Sequence, residues 1–385
     1  MPNILHQNRQ WLGNIIFHID LNSFYPSCEE LRDPLLKGKT HAVIMTDKRN
    51  SIITKGVVAS CSYEAKKLGI RSAMPLSKAL KLCPNLILMP VDLTYYKQIS
   101  EKVIALLETY SDTLEQASID EAYLDCTNKV STFGLTIEQH ALLMKKAIKE
   151  QCNLLCSIGV ASTKSAAKIA SDYQKPDGLT IVSPDNLQIF LKPLEVERIP
   201  GVGAKTEEIL KAEMGIESIG QLAKHDVQEL MDRLGKKGIW LWQVATGQDR
   251  DPVVPREDYL SFSNEYTLEK FTNNKQLILK GLTSLISELY EKVNENGYEF
   301  KTIGIKLVNV NFTVITRERS YTSYQNKQES ISSIVQYLLD KCSLIDESET
   351  SISATPVRKI GLRVSNLIRM EKKKSIKQKS LLEYV

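Results

Sequence analysis

Residues 18–30 read HIDLNSFYPSCEE, and they close the apolar run at 14–19. That run is short and β-branched, which predicts a buried strand, and it ends on a carboxylate, Asp20. An acid at the end of a core strand costs free energy unless a cation or a hydrogen-bonding network compensates its desolvation. The fold therefore has to bring a partner to Asp20. Five residues further on stands a lone tyrosine, Tyr25, which the strand does not explain.

Outward from this stretch, 42–45 and 52–59 read as short strands, and 63–68 and 76–82 as short helices. Residues 95–110 place Ile99, Val103, Leu106 and Leu107 at a helical period and stop before Asp112. Two β-like runs follow, 114–119 and 122–126, separated by Asp120 and Glu121; then comes an amphipathic helix at 137–152 and a strand at 154–160. This alternation predicts an α/β arrangement, a sheet covered by helices. After Ser183 the texture changes. IPGVGAKTEEILKAEMGI, residues 199–216, is a Gly-x-Gly turn opening a helix, loosely repeated by LGKKGIWLWQVATG from Leu234. Exposed N–H groups at such a helix start suit a phosphate, and a plain helix connection is the competing reading. PVVP at 252–255 reads as a stiff linker. Beyond it, 259–367 runs strand, helix (274–295), strand (302–308), strand (311–320), helix (330–342), strand (357–365), the βαββαβ order of a small ferredoxin-like domain.

ASIDEAYLD, residues 117–125, supplies partners for Asp20. At a hairpin tip the pleat breaks, so Asp120 and Glu121 can aim the same way; if that hairpin lies beside the 14–19 strand, three carboxylates meet at one end of a sheet. Hard oxygen ligands of this kind suit Mg²⁺ rather than zinc. An EF-hand loop beginning at Asp20 fails, because Tyr25 stands where glycine is needed and Leu31 where glutamate is needed. A glycosidase acid pair leaves the glycine-rich turns unexplained. One local alternative stays open: Asp20 caps a helix begun at Ser23, and Asp120–Glu121 is an ordinary turn. Two metal ions held by shared carboxylates are the usual device of nucleotidyl transfer, and they would resolve the desolvation of Asp20.

The 385 residues exceed one ordinary core and predict several domains. With 42% hydrophobic and 25% charged residues the composition is globular. No run has the length of a membrane span or the pattern of a signal peptide, so a cytoplasmic protein with no membrane partner is the simplest expectation. Seven cysteines without a CxxC pair read as free thiols. Net charge is +4, but residues 358–385 alone carry +7, which leaves 1–357 at −3. A cationic end favours a polyanion. Along TVITRERSY, Arg317, Arg319 and Tyr321 share one strand face, and two arginines so spaced can follow a phosphate backbone or simply charge an edge strand.

HIDLNSFYPSCEE, GVVASCSYEAKKLGIRSAMP, ASIDEAYLD, SIGVASTKSAAKIASDYQKPDG and IPGVG stand here in the order and spacing of the Y-family translesion DNA polymerases, and the chain resembles their polymerase IV-like branch over about residues 15–367. The resemblance implies a right-hand polymerase of mixed α/β (α+β) domains. The palm would take 1–24 and 91–182, with 1–13 a flexible extension, and the short fingers 25–90. A helical helix-hairpin-helix thumb would take 183–252, a linker 253–258 and a ferredoxin-like little finger 259–367, with a basic tail at 368–385.

It also implies roles for single residues. Asp20, Asp120 and Glu121, with the main-chain carbonyl of Leu21, would hold two Mg²⁺ ions for template-directed addition of dNTP to a primer end, at low fidelity and without proofreading. Tyr25 matches the steric gate against a 2′-hydroxyl. Ser23, Phe24 and Tyr25 would cradle the triphosphate, Tyr63, Lys66 and Lys175 would contact it, and Ala59 and Ser60 would cover the base pair. Lys66 departs from the arginine common in the family, replacing a two-pronged contact with a point charge. Gly201 and Gly203 of the thumb, and Arg317 and Arg319 of the little finger, would meet primer–template DNA. The end QKSLLEYV spaces Gln378, Leu381 and Tyr384 like a peptide that docks on a sliding clamp, as archaeal members often end. A monomer is expected. Two other readings compete: a non-catalytic DNA-binding repair factor on a polymerase scaffold, and a palm-fold nucleotidyl cyclase, which has no use for the Gly-x-Gly turns or the basic edge.

Overall fold

The computed structural model describes residue 11 and residues 13–46, 56–255, 258–342 and 355–370. The chain divides into two compact units, Met1–Pro255 and Arg256–Val385. In chain order the described strands of the first unit are β1 (Ile16–Leu21), β2 (His41–Met45), β3 (Val57–Cys61), β4 (Ile87–Pro90), β5 (Thr113–Gln116), β6 (Glu121–Asp125), β7 (Cys156–Ala161) and β8 (Leu179–Ile181). Those of the second are β9 (Ser261–Thr272), β10 (Tyr298–Asn309), β11 (Val314–Gln325) and β12 (Val357–Arg369).

The larger sheet of the first unit runs β5-β6-β1-β7-β8 and is antiparallel except for β7–β8. All six residues of β1 are buried, as a central strand with covered faces requires. Phe17 and Ile19 pack with Val103 and Leu107 of the helix Leu93–Glu108 and Met144 and Ile148 of the helix Ile137–Cys152. Ile16 joins the opposite core with Ala166, Ala167 and Ala170 of the helix Lys164–Tyr173, and alternation sends His18 and Asp20 to that same face. Gly159 on β7 lets this helix settle close: a Cβ there would stand 2.0 Å from the Ala167 carbonyl oxygen and 2.2 Å from the Ser171 nitrogen. Small residues on both surfaces thus bring Lys168, Ser171 and Asp172 down onto the polar end of β1.

Two local expectations are corrected. β1 runs through Asp20 to Leu21, so the acid lies inside the ladder, opposite Glu121 on one side and Ser157 on the other. The following helix, Phe24–Arg32, starts from Ser23 at φ 44° without a side-chain cap; Asp20 is not its cap. The 76–82 and 137–152 helices match their expected bounds.

A smaller sheet, β3-β2-β4, closes over Ala42, Ile44, Val58, Ile70 and Leu76; residues 52–55 of the strand expected at 52–59 lie outside the described residues. Residues 204–246 are helical around Leu210, Leu230 and Leu241. The PVVP segment is tied to this unit: Glu115 Oε2 accepts from Lys164 at 2.6 Å and from the Val254 N–H at 3.2 Å. The second unit is an antiparallel sheet ordered β11-β10-β12-β9. The helices Lys275–Glu295 and Gln328–Asp340 cover one face around Leu282, Leu289, Phe300, Ile303, Ile305 and Val335, which gives the βαββαβ order read from the sequence.

Candidate active site

Asp20 and Glu121 are register partners on β1 and β6, and their side chains leave the sheet on the face of the helix Lys164–Tyr173. Asp120 sits one residue earlier, in the turn whose Ala117 and Ser118 N–H groups both donate to the Glu121 carbonyl; its own carbonyl accepts from the Leu21 N–H at 2.9 Å. The two acids therefore part company at the ladder's end, Asp120 in the turn and Glu121 in the strand, rather than sharing a tip. The partner that Asp20 requires is Lys175, whose Nζ donates to Asp20 Oδ2 at 2.5 Å and also lies 2.5 Å from Asp172 Oδ1. Lys168 Nζ donates to Glu121 Oε1 at 2.6 Å, and His18 Nε2 stands 3.8 Å from Glu121 Oε2. Asp120 Oδ1 accepts from the Ser118 hydroxyl at 2.6 Å.

The electrostatics show how tightly this corner is charged. Burial pushes Asp20 up to about 7, against the pull of Lys175 and with a further push from Glu121. Burial also raises Asp120. Glu121 is held well below the usual carboxylate range: burial works against its charge, but the neighbouring polar groups of His18 and Asp20 and the Lys168 ammonium outweigh it. His18, fully buried, is lowered by burial and has Ser171 Oγ 2.7 Å from its Nδ1. Among the described residues no three His, Cys, Asp or Glu side chains already form a metal-holding group. The donor set nonetheless fits a hard divalent cation by its chemistry: three carboxylates stand at one sheet end, and the raised Asp20 reflects a burial cost, with a smaller push from Glu121, that such a cation would offset.

Tyr25 lies in the first turn of the helix Phe24–Arg32, half-buried, with its ring stacked on Tyr96 at 4.5 Å between centroids and 18° between planes. Tyr96 is fully buried, and its hydroxyl donates to Glu29 Oε1 at 2.5 Å. The ring of Tyr25 is thus backed by a locked ring rather than a mobile side chain. A cleft of about 780 Å³ is lined by Tyr63, Lys66, Arg71, Asp172, Lys175 and Arg198, among others. Lys66 Nζ donates to Ser23 Oγ at 2.8 Å and lies 4.3 Å from the centroid of the Tyr63 ring; burial lowers its pKa. Ala59 and Ser60 are half-buried on β3.

Gly201 (φ 86°) and Gly203 are exposed, and nothing would crowd a Cβ at Gly203, which starts the helix Ala204–Glu208 without a side-chain cap. The Gly201 carbonyl accepts from Lys237 Nζ at 2.8 Å. In the second unit Arg317 and Arg319 are exposed on the edge strand β11 and pair with Ile305 and Ile303, so they share the helix-covered face; the Arg319 guanidinium lies 4.3 Å over the Tyr337 ring. Gln378, Leu381 and Tyr384 lie outside the described residues. The sequence reading missed Lys168, His18 and Tyr96. For Lys168 a signal existed: Lys164, Lys168, Ser171 and Lys175 are spaced four, seven and eleven apart, one helical face. No helix among the described residues is long and apolar enough to cross a membrane.

Comparison with known proteins gives the family and the fold. Residues 19–172 match the impB/mucB/samB family, 184–216 the helix-hairpin-helix (HHH) motif of the IMS family, and 260–381 the C-terminal domain of the impB/mucB/samB family. A DNA polymerase IV of Methanoculleus marisnigri is 39% identical over 92% of this chain and 95% of its own, and one of Nitrosopumilus maritimus is 34% identical over 94% and 98%. Among solved structures, a Y-family DNA polymerase chimera of Dbh and Dpo4 is 30% identical with a TM-score of 0.82 over 92% of this chain and 99% of that one. An insertion ternary complex of Dbh DNA polymerase is 30% identical with a TM-score of 0.65, over the same shares of both chains.

Proposed function

This chain belongs to the impB/mucB/samB family, the Y-family of DNA polymerases, and is a DNA-directed DNA polymerase; on that premise we propose that it performs low-fidelity translesion synthesis by two-metal-ion nucleotidyl transfer, without a proofreading exonuclease. The observation that carries the mechanism is the pairing of Asp20 with Glu121 across two strands, with Asp120 in the adjoining turn and lysines neutralising the pair. Asp20, Asp120 and Glu121, with the Leu21 carbonyl, would hold two Mg²⁺ ions, which when bound lower the pKa of the primer 3′-hydroxyl and neutralise the departing pyrophosphate. Lys175, poised on Asp20, and Lys66 and Tyr63 in the same cleft meet the triphosphate of the dNTP. The uncapped start of the helix Phe24–Arg32 turns N–H groups of Ser23, Phe24 and Tyr25 toward it. Tyr25, braced on Tyr96, stands under the sugar and excludes a 2′-hydroxyl, while the small Ala59 and Ser60 leave room for a distorted template base.

In this reading the five-stranded sheet is the palm (1–24 and 91–182), the three-stranded sheet the fingers (25–90), the helical segment the thumb (183–252) and the second unit, after a linker at 253–258, the little finger (259–367). Gly201 and Gly203 meet DNA phosphates, and so do Arg317 and Arg319. The protein works as a cytoplasmic monomer and reaches a sliding clamp through Gln378, Leu381 and Tyr384. No observation favours the non-catalytic repair factor. Primer extension past an abasic template site tests the reading: elongation that depends on both dNTP and Mg²⁺ is expected, and its complete absence with active-site residues intact would overturn it.

A further inference from the structure

Lys145 leaves the helix Ile137–Cys152 and ends among four oxygens: the carbonyls of Cys156 at 2.6 Å, Asp177 at 2.9 Å and Gly178 at 3.3 Å, and Asp177 Oδ1 at 2.7 Å. Its side chain is only 15% exposed. An ammonium group has three protons and no acceptor, so these oxygens share every donor it has. What it grips is a residue in a conformation that L side chains avoid, for Asp177 has φ 55°. Two further buried side chains complete the hold. Asn22 Oδ1 accepts from the Asp177 N–H at 2.6 Å, Ser157 Oγ accepts from the Gly178 N–H at 3.2 Å, and Asn22 Nδ2 donates to Ser157 Oγ at 3.0 Å. Asn22 is 3% exposed and Ser157 0%. With the Ile158 N–H also donating to the Gly178 carbonyl, all four backbone polar groups of Asp177 and Gly178 have partners.

An unfavourable backbone persists only where its surroundings over-determine it, and such places cluster at functional sites. The residue two positions before Asp177 is Lys175, which bridges Asp20 and Asp172 and lines the cleft. We propose that Lys145 is a positioning residue for the Lys175 loop, setting the reach of Lys175 toward the triphosphate, an inference that rests on the reading of Lys175 as a triphosphate contact. Lys145 touches no substrate. It acts by holding Asp177 left-handed, with Asn22 and Ser157 fastening the same two residues from the β1 and β7 side.

The test is steady-state incorporation with Lys175→Met, Lys145→Met and Lys145→Met/Asp177→Gly, alongside primer–template affinity. Lys145→Met should raise KM for dNTP about tenfold while kcat stays within about twofold, the mark of lost binding common to ground and transition states. Primer–template affinity should not move. Glycine adopts the left-handed conformation without help, so Asp177→Gly in the Lys145→Met background should recover most of the KM, which a merely destabilised fold would not do. If Lys145→Met does not fold, Ser157→Ala removes the acceptor of the Gly178 N–H and should raise KM about threefold with kcat again unmoved. A raised KM in Lys175→Met with an unchanged KM in folded Lys145→Met, or in Ser157→Ala where that variant stands in, overturns the positioning role. An unchanged KM in Lys175→Met overturns instead the reading on which it rests.

Discussion

Tyr96 offers a perturbation whose two effects separate cleanly. Its ring supports Tyr25 and its hydroxyl donates to the buried Glu29, which is 3% exposed and has Arg32 Nη1 only at 3.9 Å. Tyr96→Phe removes a single oxygen. The ring stack survives, but a buried carboxyl loses its close donor, and a stranded buried acceptor costs about 1–3 kcal/mol, so about 2 kcal/mol is expected. In a unit of this size each kcal/mol moves the melting temperature by about 2–4 °C, which predicts a fall of about 4–8 °C. Sugar selectivity should stay within about twofold, because the stacking that braces Tyr25 depends on the ring and not on the hydroxyl. Adding Glu29→Met should restore most of the loss, since replacing both partners by apolar groups of similar shape is close to neutral. Thermal unfolding followed by circular dichroism, with ribonucleotide and deoxyribonucleotide incorporation measured on the same samples, checks both arms. A Tyr96→Phe melting point within 1 °C of the parent (about 0.3–0.5 kcal/mol), or a double variant that is additively worse, would refute the reasoning.

Other substitutions probe the rest of the site. Tyr25→Ala should admit ribonucleotides, raising their relative incorporation by about 100-fold or more, the order of a few kcal/mol of lost steric exclusion; unchanged selectivity would remove the gate assignment. Lys66→Arg places a planar fork in the cleft and should lower KM for dNTP by about threefold to tenfold, whereas a higher KM would show that the point charge is the better fit there. His140, fully buried, has its pKa lowered from 6.5 by burial, with Nε2 2.8 Å from the Tyr110 carbonyl. The unfolded chain then takes up a proton more readily than the folded one, so this residue's contribution is complete above pH 6.5 and is lost as pH falls below it. His140→Gln keeps an N–H for Tyr110 and should flatten the loss of melting temperature between pH 7 and pH 5; an identical slope would contradict the sign.

How far the sequence could be read depended on the range of the forces involved. The 137–152 helix and the βαββαβ order were legible because periodicity is local. Asp20, Asp120 and Glu121 were legible as a set, because an acid closing an apolar strand demands explanation and a second acidic pair stood in a β-β turn. Their division between ladder and turn was not, since the register that pairs Asp20 with Glu121 is a tertiary result. The lysines that neutralise them come from residues 47 and 155 positions away in the chain, brought in by the close seat of a small-residue helix on Gly159. Tyr96 was placed only as a member of a helical run. Its role appears when stacking and the Glu29 hydrogen bond are seen together, neither of which has a sequence period.

The account stands on the acid corner, and Asp120 is the place to test it, because its carboxylate is held by the Ser118 hydroxyl rather than by a lysine whose loss of partner would disturb the fold. The measurement is the single-turnover rate of nucleotide addition by Asp120→Ala at saturating dNTP and Mg²⁺, with primer–template affinity measured in parallel. The account predicts a rate lowered by about 1,000-fold or more, equivalent to roughly 4 kcal/mol, with DNA affinity retained. A rate within about tenfold of the parent, with DNA bound as before, would contradict it.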